Sequence, residues 1–235
     1  MTTVLALAAL QVPANLTGFY SGLPGLANGA GLSIQMQSHS AIFQLYHQTA
    51  TTQTLTVFKN NTSKGGTITL AIPNHVRRAG TMGAAQGADI EATWDKANVN
   101  PGPTVWTSRQ NVNALVSNDG YITLKVQVKP NATHSLKLSW MGDLMTSGKD
   151  GKTRCLGYDV GRASDWAGVG QFKYSIQYQQ TEMPNATAPE GVPVFAVDTT
   201  SPSSGWQIGP KGAYLSRLPG VATIIFNYHP NGYGN

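Results

Sequence analysis

The 235-residue sequence has one cysteine and few charges, and both shortages limit what the chain can be. A single cysteine, Cys155, excludes a disulfide within the chain, so we expect stability to come from a hydrophobic core. Charged residues make up 11% of the sequence, against roughly 25% in an average soluble protein. Gly, Thr, Ser, Asn and Gln are abundant instead. This composition suits a surface or particle protein better than a cytosolic enzyme.

Signals for nucleic-acid and membrane binding are also scarce. The net charge of +5 comes from basic residues that are scattered along the chain, and its densest groups are the pair Arg77 and Arg78 and the stretch 149–162. A nucleic-acid-binding protein normally has a concentrated basic stripe. No apolar run approaches the roughly 20 residues that span a bilayer. We therefore expect no specific nucleic-acid partner and no membrane span.

The motifs of common catalytic and metal centres do not occur. There is no GxSxG or GxxxxGK[ST] pattern, and a zinc site needs at least three convergent ligands. Cys155 has no identified base beside it, so we expect an inert thiol. The histidines form no HxH, HxxxH or HExxH pair and are expected at surface or turn positions. Two of them, His39 and His47, fall on adjacent predicted strands. The others are His75, His134 and His229. The sequence predicts no enzyme, no metal and no other cofactor.

Most of the chain alternates between apolar and polar residues with a period of two, which is typical of β-strands. Ile122, Leu124, Val126 and Val128, for example, share one face. Strands 52–59 and 67–72 flank a polar, glycine-containing turn, and strands 122–128 and 136–140 flank a turn at Pro130. We interpret both pairs as β-hairpins and expect Pro73 to end the first of them. Further strands are predicted at 32–37, 41–46, 90–94, 173–179, 193–198, 213–218 and 221–228.

These roughly ten to twelve strands predict an all-β fold, an antiparallel β-sandwich of the jelly-roll or immunoglobulin-like type. The sandwich body is assigned to residues 32–235, with a weak boundary near 141–160 where two subdomains could meet. An apolar N-terminal segment, 1–17, precedes the body. A glycine-rich spacer, 18–31, joins the two and is expected to be flexible.

The N-terminal segment opens with the apolar run MTTVLALAALQV, which has to be buried somewhere. It could be an export signal, pack into its own core, or insert into a neighbouring copy. A signal peptide requires a positively charged region before its apolar core. No Lys or Arg precedes this run. We expect an extended donor strand that reaches a second subunit through the spacer. Its interface residues would be Val4, Leu5, Leu7, Leu10 and Val12.

The sequence therefore predicts a structural subunit of an extracellular or cell-surface filament or pilus-like assembly, a homo-polymer formed by strand exchange between copies. Two alternatives stay open. One is a jelly-roll protein of a viral capsid or other particle, although the N-terminal arm lacks the basic residues that usually contact a genome. The other is a secreted carbohydrate-binding β-sandwich in which loop aromatics such as Trp166 and Trp206 stack on sugars.

Several N-x-[ST] patterns fall at predicted turns or loops, where a glycan can be accommodated. They predict an exposed glycoprotein in a host that attaches such glycans. The acceptor residues are Asn15, Asn60, Asn61, Asn131 and Asn185.

Overall fold

The computed structural model describes residues 18–45, 49–77, 90–102, 105–110, 116–143, 145–147, 153–178, 195–209, 212–221 and 223–230. These residues form two β-sheets packed face to face, which confirms the predicted all-β sandwich. The helical content of the described ranges is one short 3-10 helix at Gly161–Asp165. None of their helical structure is long and apolar enough to cross a membrane.

The first sheet has nine strands. In spatial order they are β14 (Phe195–Ser201), β17 (Thr223–Pro230), β12 (Thr153–Asp159), β1 (Gly18–Gly22), β5 (Gly66–Arg77), β9 (Val116–Val128) and β8 (Val105–Gln110). Two short strands complete it, β11 (Met145–Ser147) beside β12 and β2 (Gly25–Asn28) beside β5.

The second sheet has eight strands. In spatial order they are β15 (Trp206–Gly209), β16 (Gly212–Leu215), β13 (Val169–Tyr178), β3 (Ile34–Leu45), β4 (Thr49–Asn60), β10 (Thr133–Asp143), β6 (Glu91–Trp94) and β7 (Ala97–Val99). Both sheets are mixed, because β1 runs parallel to β12 and β3 runs parallel to β13 while the other pairs are antiparallel.

The two predicted hairpins are wrong. β4 pairs with β3 and β10, whereas β5 pairs with β1, β2 and β9. The connection at 61–65 therefore crosses from one sheet to the other, and the connection between β9 and β10 crosses in the same way. Alternation predicts which side chains face the core, but it is the same for a hairpin and for two strands in opposite sheets.

Pro73 does not end its strand. β5 continues to Arg77, and Pro73 lies where the strand changes its partner from β9 to β1. Proline has no N–H to donate to a ladder, so it is tolerated where one ladder ends and another begins. A single strand of twelve residues thereby links two parts of the first sheet.

The glycine-rich segment 18–31 is not a free spacer. β1 lies between β5 and β12, and β2 continues along β5. A Cβ at Gly22 would lie 2.5 Å from the carbonyl oxygen of Asp159, and one at Gly25 would collide with the Arg162 side chain. These two glycines permit close packing rather than flexibility. The donor-strand residues Val4, Leu5, Leu7, Leu10 and Val12 lie outside the described residues.

One buried cluster extends from Leu23 to Tyr228 and includes side chains from both sheets. The described residues on either side of 141–160 therefore share a core. Its central strand is unexpectedly polar, because Thr52, Thr54 and Thr56 on the inward face of β4 are all buried. The largest fully buried side chains are Leu23, Met36, Phe43, Phe58, Phe172, Phe226, Tyr158 and Tyr174.

Candidate functional site

A buried histidine joins the two sheets inside the core. His39 on β3 is 1% exposed, and its Nδ1 lies 2.8 Å from Oγ1 of Thr56 while its Nε2 lies 2.7 Å from the hydroxyl oxygen of Tyr158. The imidazole stacks on the rings of Tyr158 and Phe172, at centroid distances of 5.9 and 5.7 Å. Burial lowers the pKa of His39 from 6.5 to about 3. The ring is therefore neutral at neutral pH, with both nitrogens in hydrogen bonds.

The prediction that His39 lies at the surface is wrong, because β3 contains an irregularity of one residue before it. Between Met36 and Ser38 the register of β3 against β4 shifts by one residue. Such a β-bulge moves every following side chain to the opposite face. His39 thus points into the core opposite Thr56, which strict alternation from Met36 would not predict.

A second histidine fastens the β6–β7 turn to the start of β10. Nδ1 of His134 lies 2.6 Å from Oδ2 of Asp95, and its Nε2 accepts the N–H of Lys129 at 3.0 Å. The N–H of Ser135 donates to the other Asp95 oxygen, and the Trp94 ring stacks on the imidazole at 5.1 Å. Burial raises the pKa of Asp95, but the bonds from His134 and Ser135 outweigh it and hold that pKa below its usual value. Although the pair resembles a catalytic dyad, the chain itself uses both ring nitrogens.

Asn60 connects the two crossings between the sheets. It is fully buried, and its Nδ2 donates to the carbonyl oxygens of Lys64 and Lys129 at 2.7 and 3.0 Å. Its Oδ1 accepts the backbone N–H of Thr62. A glycan on this nitrogen would replace both bonds and has no space in the fold. Glycosylation of folded Asn60 is therefore incompatible with the structure.

The other predicted glycosylation sites fall into two groups. Asn61 and Asn131 are exposed, so each amide could carry a glycan. Asn15 and Asn185 lie outside the described residues. Glycosylation at the exposed positions therefore stays a prediction.

The candidate metal and thiol sites have no support in the described ranges. No three His, Cys, Asp or Glu side chains there converge as a metal ion would require. His47 lies outside the described residues, so whether it meets His39 is not tested. Cys155 is buried, and burial raises the pKa of its thiol to about 12, which keeps it protonated.

The two tryptophans considered for sugar stacking pack against the core, where Trp166 is buried and Trp206 is partly buried. Trp166 is 6% exposed, lies 4.8 Å from the Phe58 ring and donates its indole N–H to the carbonyl oxygen of Pro24. Trp206 packs against Tyr174 and Phe226 at centroid distances of 5.7 and 5.2 Å. Burial excludes sugar stacking on Trp166, whereas stacking on the partly buried Trp206 stays a prediction.

A polar groove of about 420 Å³ lies beside the β6–β7 hairpin on the second sheet. Its walls come from β6, β7, β10 and the residues that follow β7. Six polar side chains line it: Glu91, Thr93, Asn98, Asn100, Lys137 and Ser139. No sequence motif indicates this groove, because its residues meet only through the pairing of β6 with β7 and β10.

The fold defines the class of this protein as a β-sandwich of two mixed sheets. No family model and no curated protein sequence matches the chain. A solved structure from Legionella pneumophila, of a protein whose suggested role is nutrient binding, matches 92% of this chain and 72% of its own, with a TM-score of 0.63 and 13% identity. This likeness shows a shared fold.

Two enzymes show weaker likenesses. The M1 zinc metallopeptidase of Deinococcus radiodurans has a TM-score of 0.40 and 9% identity over 86% of this chain and 43% of its own. The leukotriene A4 hydrolase of Saccharomyces cerevisiae has a TM-score of 0.41 and 9% identity over 86% of this chain and 30% of its own. The chain thus spans less than half the length of either enzyme, and likenesses this low carry no argument about function.

Proposed function

We propose that the protein is the structural subunit of an extracellular or cell-surface filament, in which residues 1–17 of one copy add as a strand to the next copy. The observation that carries this proposal is the edge strand β8. Its six residues pair one for one with β9, and no described strand lies on its other side. A regular edge presents unpaired N–H and C=O groups, which an added strand can satisfy.

The other sheet edges are less suited to accept a strand. The pairing of β14 with β17 shifts register between Val197 and Thr199, and such bulges protect an edge. β7 has three residues and β15 has four. Among the described edges, β8 therefore offers the longest regular run of backbone groups.

The apolar segment matches β8 in length and pattern. Six residues of strand extend about 20 Å, and residues 5–10 supply that length. Leu5 and Leu7 alternate with alanines, so both would face the same side of an added strand. Burying each leucine contributes about 1.5 to 3 kcal/mol before ordering costs. The contact is head-to-tail, a geometry that produces a filament when it does not close into a ring.

The segment can reach a neighbour without a flexible spacer. It joins the body at Gly18, which pairs with Arg77 inside the first sheet. Seventeen extended residues reach roughly 55 Å, far more than the roughly 10 Å between packed sheets. The incorporation of 18–31 into the sandwich therefore shortens the tether but leaves strand exchange feasible.

Sedimentation of the full chain and two charge variants tests the proposal. Leu5→Asp with Leu7→Asp should leave a monomer of 24.9 kDa, because two carboxylates cannot enter an apolar acceptor groove. Thr2→Asp with Thr3→Asp adds the same charge at polar positions and should still polymerise. An excess of the peptide 1–17 should shorten the polymers. A wild-type chain that stays monomeric, or polymers unaffected by the leucine changes, would contradict the proposal.

A further inference from the structure

We propose that the groove beside the β6–β7 hairpin binds a neutral saccharide. Its volume of about 420 Å³ lies within the range of roughly 300 to 1,000 Å³ that is usual for small-molecule sites. The groove opens on the outer face of the second sheet, whereas β8 lies at the edge of the first. The proposal therefore goes beyond strand exchange and does not depend on it.

The polar side chains of the groove are available to a ligand. In the described part of the chain, one hydrogen bond joins two of them, from Oγ of Ser139 to Oε2 of Glu91 at 3.1 Å. No other hydrogen bond there engages the side chains of Thr93, Asn98, Asn100 or Lys137, and no ion pair within 4.0 Å links Glu91 to Lys137. The groove thus offers several donors and acceptors that the protein does not itself use.

Strand pairing places these groups in a row. Lys137 lies opposite Thr93, and Thr93 lies opposite Asn98. Side chains opposite each other across neighbouring strands point to the same face, and neighbouring strands are about 4.8 Å apart. The three side chains therefore extend over roughly 10 Å of one surface, with Ser139 and Glu91 forming the next row. A row of this kind can contact several hydroxyl groups of one ligand at once.

The balance of charge favours a neutral ligand. The groove contains one carboxylate and one ammonium group, so its formal charges cancel. Its other polar side chains are two amides and two hydroxyls, which both donate and accept hydrogen bonds as sugar hydroxyls do. Val99 and Pro101 add apolar surface at the edge, against which the C–H face of a sugar ring can pack. An anion would be repelled by the carboxylate of Glu91 as well as attracted by the ammonium group of Lys137, and for a cation the reverse holds.

Titration calorimetry with methyl glycosides of glucose, galactose, mannose and N-acetylglucosamine tests this inference. We expect at least one to bind, and Asn98→Ala with Asn100→Ala to weaken binding about tenfold or more, which equals about 1.4 kcal/mol. Gln171→Ala, an exposed change on the same sheet face three strands away from β10, is the matched control and should bind as the wild type does. Thermal unfolding of each variant shows whether the fold is retained.

Three outcomes would overturn the inference. The first is no binding of any of the four glycosides at tens of millimolar. The second is binding that the asparagine changes leave intact. The third is tighter binding of glucosamine or glucuronate than of the neutral sugars, which would mean that charge decides recognition. Because the Leu5 and Leu7 variant leaves the groove unchanged, a monomer that binds sugar would uphold this inference while filament assembly remains a separate test.

Discussion

Two histidines, His39 and His134, are both almost fully buried, yet their partners differ in chemistry. His39 lies between the hydroxyls of Thr56 and Tyr158, whereas His134 contacts the carboxylate of Asp95, which is 43% exposed. Hydroxyl groups cannot neutralise an added proton, so burial alone lowers the pKa of His39 to about 3. At the other site the pKa of the Asp95 carboxyl is lowered, because His134 and Ser135 stabilise its charged form.

The pH dependence of the two clusters therefore comes from different groups, the imidazole of His39 in one and the carboxylate of Asp95 in the other. The contribution of His39 to the free energy of unfolding should fall as soon as this histidine begins to bind a proton in the unfolded state. The contribution of the Asp95 carboxylate should be lost when that carboxylate is protonated. The two clusters therefore act in different pH windows, which experiments can separate.

The largest expected effect is the loss of stability on acidification through His39. Its pKa is about 3 in the fold and 6.5 as the ordinary value, so between these limits the unfolded state binds more protons. The free energy of unfolding should then fall by up to about 1.4 kcal/mol for each pH unit below 6.5. Urea unfolding at pH 7 and pH 4.5 measures this change above the window of Asp95. His39→Gln should be less stable at pH 7 but show a much flatter dependence, and an unchanged slope in that variant would contradict the account.

A smaller effect is expected from two threonines on the same face of β4, whose replacement should change the free energy of unfolding by different amounts. Thr56→Val removes a hydrogen-bond partner from buried His39 and should cost about 1 to 3 kcal/mol. Oγ1 of Thr54 is buried without a hydrogen-bond partner in the described structure, so Thr54→Val should be neutral or stabilising. Chemical denaturation of both variants at pH 7 measures the difference. Equal losses would mean that packing, and not the His39 hydrogen bond, decides the effect.

The smallest effect concerns the exposed end of the second cluster. Asp95→Asn should reduce the free energy of unfolding by no more than about 1 kcal/mol at pH 7, because solvent screens the carboxylate. Its lowered pKa means that this contribution is present above the ordinary value of 3.8 and is lost as the pH falls below it. Unfolding measured at pH 5 and pH 2.5 should show a smaller pH dependence in the variant. A larger change at pH 7 than in Thr56→Val would reverse the ranking of the two clusters.

Alternation in the sequence predicts the strands and their inward faces well. Ile122, Leu124, Val126 and Val128 all point into the core as expected. It does not predict which strands pair, because β9 would bury the same four residues in a hairpin with β10 as it does beside β5. The two short connections between the sheets therefore resemble hairpin turns in the sequence.

The sites were harder to predict than the fold. His39 faces inward because of one β-bulge, and no pattern in the sequence marks that extra residue. The groove depends on Lys137 and Thr93 becoming neighbours, although they are distant along the chain. Glycine-rich composition was equally ambiguous, since the glycines of β1 and β2 serve close packing. Each of these features depends on long-range pairing.

Hydrogen exchange at β8 tests the filament proposal most directly. In the assembled wild-type protein, amides of Val105–Gln110 that do not bond to β9 should exchange far more slowly than in the monomeric Leu5 and Leu7 variant. Amides of the bulged edge β14 should exchange equally in both. Slow exchange at β8 that appears only on assembly is the predicted result. Assembled protein with β8 amides as exchangeable as those of the monomer would contradict strand addition at this edge.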